Sequence, residues 1–161
     1  MSRRTYIAVA TFLIASRAFA QDAVEVETSL VAEVRETVQT PPDRKAYRFV
    51  PATVLTQDEV VYYTVRIRNP TPVAARDVIV VQRVPANTAY LADSASGPGA
   101  DITYSTDGGH TFAAADALMM KDDAGATRLA RPQDYTHIRW HLRNVLAPSA
   151  VALARFRAVF K

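Results

Sequence analysis

Few residues in this chain could do chemistry. His137 and His141 lie four apart, a spacing that lets two histidines on a helix share a zinc ion. The surrounding residues, Thr-His-Ile-Arg-Trp-His-Leu-Arg over 136–143, alternate instead. Ile138, Trp140 and Leu142 fall on one side; His137, Arg139, His141 and Arg143 fall on the other. A period of two marks a half-buried β-strand, where the two imidazoles point the same way but stand about 13 Å apart at about 3.3 Å per residue, too far for one ion. They read as a polar solvent face around Arg139, and His110 as exposed in a turn. Asp107, Asp116, Asp122 and Asp123 could offer oxygens to calcium, but their spacing fits no calcium loop, and they read as turn-forming acids. There is no nucleophile-elbow motif, and no pair of acids is placed in a shared pocket. The absence of Cys removes thiol chemistry and thiolate metal sites. The expectation is a non-enzyme with no catalytic residue, no cofactor and no metal. Tyr47, Phe49, Tyr62, Tyr63 and Tyr90 either join the core or form a sugar-binding platform.

The elements that must position these residues are strands. Val61, Tyr63, Val65 and Ile67 alternate with Tyr62, Thr64, Arg66 and Arg68. Ala152, Ala154, Phe156, Ala158 and Phe160 alternate with Arg155, Arg157 and Lys161. Residues 77–84 are β-branched on both faces, which suits a central strand covered on both sides or covered by a partner. Residues 47–55 read as a short strand with Pro51 inside it, hence an edge or bulged position. Asp107-Gly108-Gly109, between residues 102–104 and 111–113, signals a hairpin. Residues 119–131 read as irregular around the turn Asp122 to Gly125. Eight or more short strands, with a turn about every ten residues, predict an antiparallel β-sandwich. Trp140, with Ile138 and Leu142 on its face, is the expected centre of the core.

Residues 1–20 read as a signal peptide. Arg3 and Arg4 precede an apolar run from Tyr6 to Ser16, and Ala18-Phe19-Ala20 offers small residues for cleavage before Gln21. The run is too short to span a bilayer, so no stable membrane span is expected after cleavage. That segment holds three of the 19 Lys and Arg and none of the 16 Asp and Glu, leaving 16 of each sign. A balanced chain lacks the basic excess of a nucleic-acid binder. The acidic segment Asp22–Glu36 reads as extended, on its Val-Thr-Glu content, and Pro41-Pro42 interrupt the chain after it. Residues 21–46 are thus either the first strand of a closed monomer or an arm positioned separately from a sandwich over 47–161.

Asp58-Glu59-Val60-Val61-Tyr62-Tyr63-Thr64-Val65-Arg66-Ile67-Arg68-Asn69 resembles the opening of the conserved repeat domain known as domain of unknown function eleven. Residues 74–80, Val84-Pro85-Ala86-Asn87-Thr88 with Tyr90, and Ile138-Arg139-Trp140, Leu146-Ala147-Pro148 and the last strand continue the match. The resemblance covers roughly 58–96 and 135–161. It implies an immunoglobulin-like sandwich of bacterial and archaeal envelope and surface proteins, often in tandem copies, and brings no catalytic residues. This chain departs from it in being a single copy, in an insertion over 97–134, and in Ser149 where the closing turn usually has Gly. Within the insertion, Ser105-Thr106-Asp107-Gly108-Gly109-His110-Thr111-Phe112 is similar to the Asp-box pattern. That motif implies a structural hairpin in which Asp107 bonds turn amides, Gly109 takes a positive φ and Phe112 folds back onto the sheet.

The expected function is an exported structural or protein-interaction domain, periplasmic or secreted to the surface. Its partner is another envelope or surface protein, or a second copy. A filament subunit assembled by strand exchange and a carbohydrate-binding module are the alternatives.

Overall fold

The computed structural model describes residues 25–40 and 44–161. The signal-peptide and Pro41-Pro42 readings therefore lie outside the described residues. The strands are β1 (Glu27–Thr40), β2 (Arg44–Pro51), β3 (Val60–Arg68), β4 (Ile79–Arg83), β5 (Thr88–Tyr90), β6 (Ala100–Ser105), β7 (Met119–Lys121), β8 (Thr127–Leu129), β9 (His137–Leu142) and β10 (Val151–Phe160). A 3-10 turn, Pro132–Asp134, precedes β9. One sheet has five strands in the order β2-β1-β3-β10-β5, the other three in the order β4-β9-β6, and β7 pairs with β8 alone. Every pairing is antiparallel. The chain is an all-β sandwich.

Alternation places the core between the sheets. β3 buries Val61, Tyr63, Val65 and Ile67; β10 buries Ala152, Ala154, Phe156 and Ala158; β9 buries Ile138, Trp140 and Leu142. The small residues of β10 leave room for the large rings. Tyr63 stacks on Phe156 at 4.8 Å, and Trp140 meets Phe156 across the sheets at 6.2 Å. The Trp140 indole N–H donates to the Ser96 carbonyl at 3.1 Å, so its one polar atom is satisfied in the core. Gly97 lies against this indole: a Cβ there would sit 3.0 Å from Trp140 Cδ1. A second cluster stacks Tyr104 on Tyr135 at 4.5 Å, with the Tyr90 and Tyr104 hydroxyls 3.1 Å apart. Burial first, then the Tyr90 hydroxyl, pushes the Tyr104 phenol far above its usual range.

Two elements differ from expectation. Residues 79–83 are not a central strand covered on both sides: they form an edge strand with Ile79 and Val81 exposed on its outer face, which leaves cover by a partner as the other reading. The β-branched run reflects strand propensity on both faces, and propensity does not report coverage. Residues 119–131 are not wholly irregular: β7 and β8 close a small hairpin around the Asp122 turn, where Asp122 accepts the amides of Ala124 and Ala126.

The described part of the N-terminal segment pairs within the chain. Residues Glu27–Val34 of β1 pair with β3, inside the five-stranded sheet. Past Val34, β1 pairs with β2 alone as far as Thr40 opposite Arg44, so the hairpin runs on as a two-stranded ribbon. The insertion is likewise part of the body, because its β6 is the third strand of the second sheet.

Candidate interaction surface

The Asp-box-like hairpin is built around one carboxylate. Asp107 accepts the amides of His110 and Thr111 and the hydroxyls of Ser105 and Thr111. These bonds, led by the Ser105 hydroxyl, hold the Asp107 carboxyl well below the usual range. Gly109 takes φ 90°. Phe112 receives the Arg139 guanidinium over its ring at 4.5 Å. The Asp107 carboxylate is thus engaged in shaping the turn, and His110 is exposed beside it.

His137 and His141 sit on the outward face of β9 with Arg139 between them. His137 Nδ1 lies 3.1 Å from the Thr136 hydroxyl, and burial, then Arg83, lowers its pKa. His141 Nε2 lies 3.9 Å from Asp77, on a different neighbour. The strand keeps the two histidines apart, and each has its own surroundings.

The outer face of the five-stranded sheet is different. Phe49 of β2, Glu33 of β1, Tyr62 of β3 and Arg157 of β10 line a row across four strands, set by the registers Glu33↔Tyr62 and Arg157↔Tyr62. With Thr64, Arg155, Ser94 and Ser96 they line a groove of about 350 Å³. Phe49 meets Tyr62 edge to face, centroids 4.9 Å apart and planes at 73°. Ser94 is held by Leu91 and Arg157 backbone, which fixes the groove's wall along β10. Arg155 and Arg157 form no ion pair among the described residues, whereas Arg68 on the same face is paired with Glu27 at 3.2 Å.

Of the aromatic group singled out in the sequence, Tyr63 and Tyr90 are core residues, while Tyr47 and Phe49 are exposed. Arg35 covers one face of Tyr47 at 4.4 Å. Phe49 and Tyr62, being edge to face, do not make the coplanar platform on which a sugar ring stacks. Sequence reasoning missed the groove. Its one available signal was the pair Arg155 and Arg157, two apart on a strand and so on one face.

Beside the groove runs an open edge. β2 has eight residues, and among the described residues no strand pairs with its far side. Ala52 donates to Ala32, so by alternation Tyr47 and Phe49 turn their backbone N–H and C=O groups to that open side.

Fold and surface together define an all-β sandwich with one aromatic, arginine-bearing face next to an unpaired strand edge. No family model matches the chain, and no curated protein and no solved structure matches it.

Proposed function

We propose that this chain is an exported, non-enzymatic protein-interaction domain of the bacterial envelope or surface, and that it docks its partner at the open edge of β2. The observation that carries the reading is the β1–β2 ribbon. It runs past the sheet with Tyr47 and Phe49 exposed, and it ends the sheet in a strand with one free side. An unpaired edge supplies main-chain donors and acceptors for an added strand, and exposed aromatic residues supply anchoring area. Lys45 and Arg48 on the same strand oppose indiscriminate pairing between edges, as edge charges do. Export rests on residues 1–20, and the envelope setting on the resemblance to the conserved repeat domain.

The test is site-specific photocrosslinking in cells producing the full chain. A photoreactive residue at position 47 should trap one recurrent polypeptide in the envelope or secreted fraction, on protein whose N-terminus is Gln21. The same residue at exposed Val54 should not. A protein retained in the cytosol with residues 1–20 attached, or no adduct at position 47, overturns the proposal.

A further inference from the structure

We infer that the groove on the outer face of the five-stranded sheet binds an acidic, extended polypeptide segment through Arg155 and Arg157, with an apolar side chain of that segment against Phe49 and Tyr62. The inference rests on the protein-interaction reading and names the chemistry of what is bound.

Three observations converge on it. First, the two guanidiniums are two residues apart on β10, project from one face and are not ion-paired among the described residues. Acidic side chains at alternate positions of an extended chain repeat at the same spacing, so each can meet one guanidinium. Second, among the described residues that line the groove the one acid is Glu33, against Arg155 and Arg157, so this lining is net positive. Glu33 sits toward the Phe49 end of the row, where it can accept a peptide N–H. Third, the edge-to-face rings of Phe49 and Tyr62 form a notch rather than a platform. A notch fits an aliphatic or aromatic side chain; a pyranose ring needs a flat partner. Tyr and Arg are also the residue types that carry most of the energy at protein interfaces.

The test uses purified domain lacking residues 1–20 and a capped peptide of alternating glutamate and valine, followed by calorimetry and by NMR shift mapping. Expected are shifts at Phe49, Tyr62, Arg155 and Arg157, and binding that weakens as salt is raised. The double variant Arg155→Gln/Arg157→Gln should lose at least tenfold in affinity with its melting temperature unchanged, because both side chains project from the outer face. Arg66→Gln, on the same sheet but outside the groove, should bind as the parent does. Equal binding by the double variant overturns the inference. So does tighter binding of polygalacturonate or of phosphatidylglycerol vesicles, which assigns the groove to an anionic sugar or lipid. A dimer of the domain that dissociates in the double variant assigns it to a second copy and also overturns it. The crosslink at position 47 does not depend on Arg155 or Arg157. Failure here with that adduct present removes the groove and keeps the edge; peptide binding without the adduct does the reverse.

Discussion

Replacing Asn69 by Ala should be among the most costly changes of a polar residue in this protein. Asn69 is fully buried at the end of β3. Its amide nitrogen donates to the carbonyls of Val73, Leu146 and Ala147 at 2.7, 3.0 and 3.2 Å. Its oxygen accepts from the Thr71 amide at 3.1 Å and the Thr71 hydroxyl at 2.8 Å. One side chain thus pins the Asn69–Val73 loop to the turn before β10. Few of the bonds lost leave an orphan: Leu146 O also accepts from the Ala75 amide, Ala147 O from the Ala150 amide, and Val73 O from the Thr71 hydroxyl. The Thr71 amide is the group that loses its partner. One amide left unsatisfied at about 1 to 3 kcal/mol, plus a small cavity, gives a loss of about 2 to 4 kcal/mol. Urea denaturation reads this as a lowered midpoint at unchanged slope, and thermal melting as a drop of about 10 °C. Asn69→Asp tests the direction of the bonds. A carboxylate would face three carbonyls, so its folded pKa rises above the unfolded value near about 3.9. Its stability is therefore fully present below that value and is lost as pH rises through the folded pKa. A loss under about 1 kcal/mol for Asn69→Ala, or no loss of stability between pH 4 and 8 in Asn69→Asp relative to the parent, refutes the reasoning.

Trp140→Ala should cost about 3 to 5 kcal/mol, since it empties the space against Phe156, while the Ser96 carbonyl keeps the Arg155 amide as a donor. Trp140 is the one Trp in the chain, so native fluorescence should be blue-shifted; an emission typical of water-exposed indole would contradict its burial. Ser149 has φ 61°, a left-handed conformation that costs a side-chain-bearing residue about 1 to 2 kcal/mol, partly offset in Gly by about 0.5 to 1 kcal/mol of unfolded-state entropy. Ser149→Gly should therefore gain about 0.5 to 1 kcal/mol, and a destabilised variant in urea titration would count against that backbone. Asp107 has a lowered folded pKa, so its contribution is present above the unfolded value near about 3.9 and is lost as pH falls below it. Asp107→Asn should accordingly be less stable than the parent at pH 7 and approach it by pH 3; a constant gap would sink the argument.

The sandwich was legible because alternation survives in strands with one wet face. β3, β9 and β10 each expose polar residues between buried ones, and the eye can count them. The hairpin turns were legible through Asp107, Gly109 and Asp122, whose short acids and missing Cβ answer specific backbone needs. The central-strand reading of β4 failed because Ile79 and Val81 are as β-branched as buried Val80, so composition hid which side was exposed. β7 and β8, at three residues each, are too short to show a period. The groove's one local signature was the pair Arg155 and Arg157 on one face of β10. Phe49, Tyr62 and Arg157 become neighbours only through strand register. Asn69 was visible as the end of a strand, yet its partners Leu146 and Ala147 are 77 and 78 positions away, and nothing near Asn69 announces them.

The place of β10 in the sheet constrains how the molecule assembles. It lies between β3 and β5, yet it follows both in the chain. Its pairing with β3 joins residues such as Val61 and Ala158, so nearly the whole sandwich must be threaded into one loop before that ladder closes. Loop closure over such separations is slow relative to hairpin formation, and all-β topologies of this kind fold in milliseconds to seconds. Until that ladder closes, β3 and β5 each present the bare side that β10 occupies in the fold, and such unpaired edges are where chains of this topology are open to mispairing and aggregation.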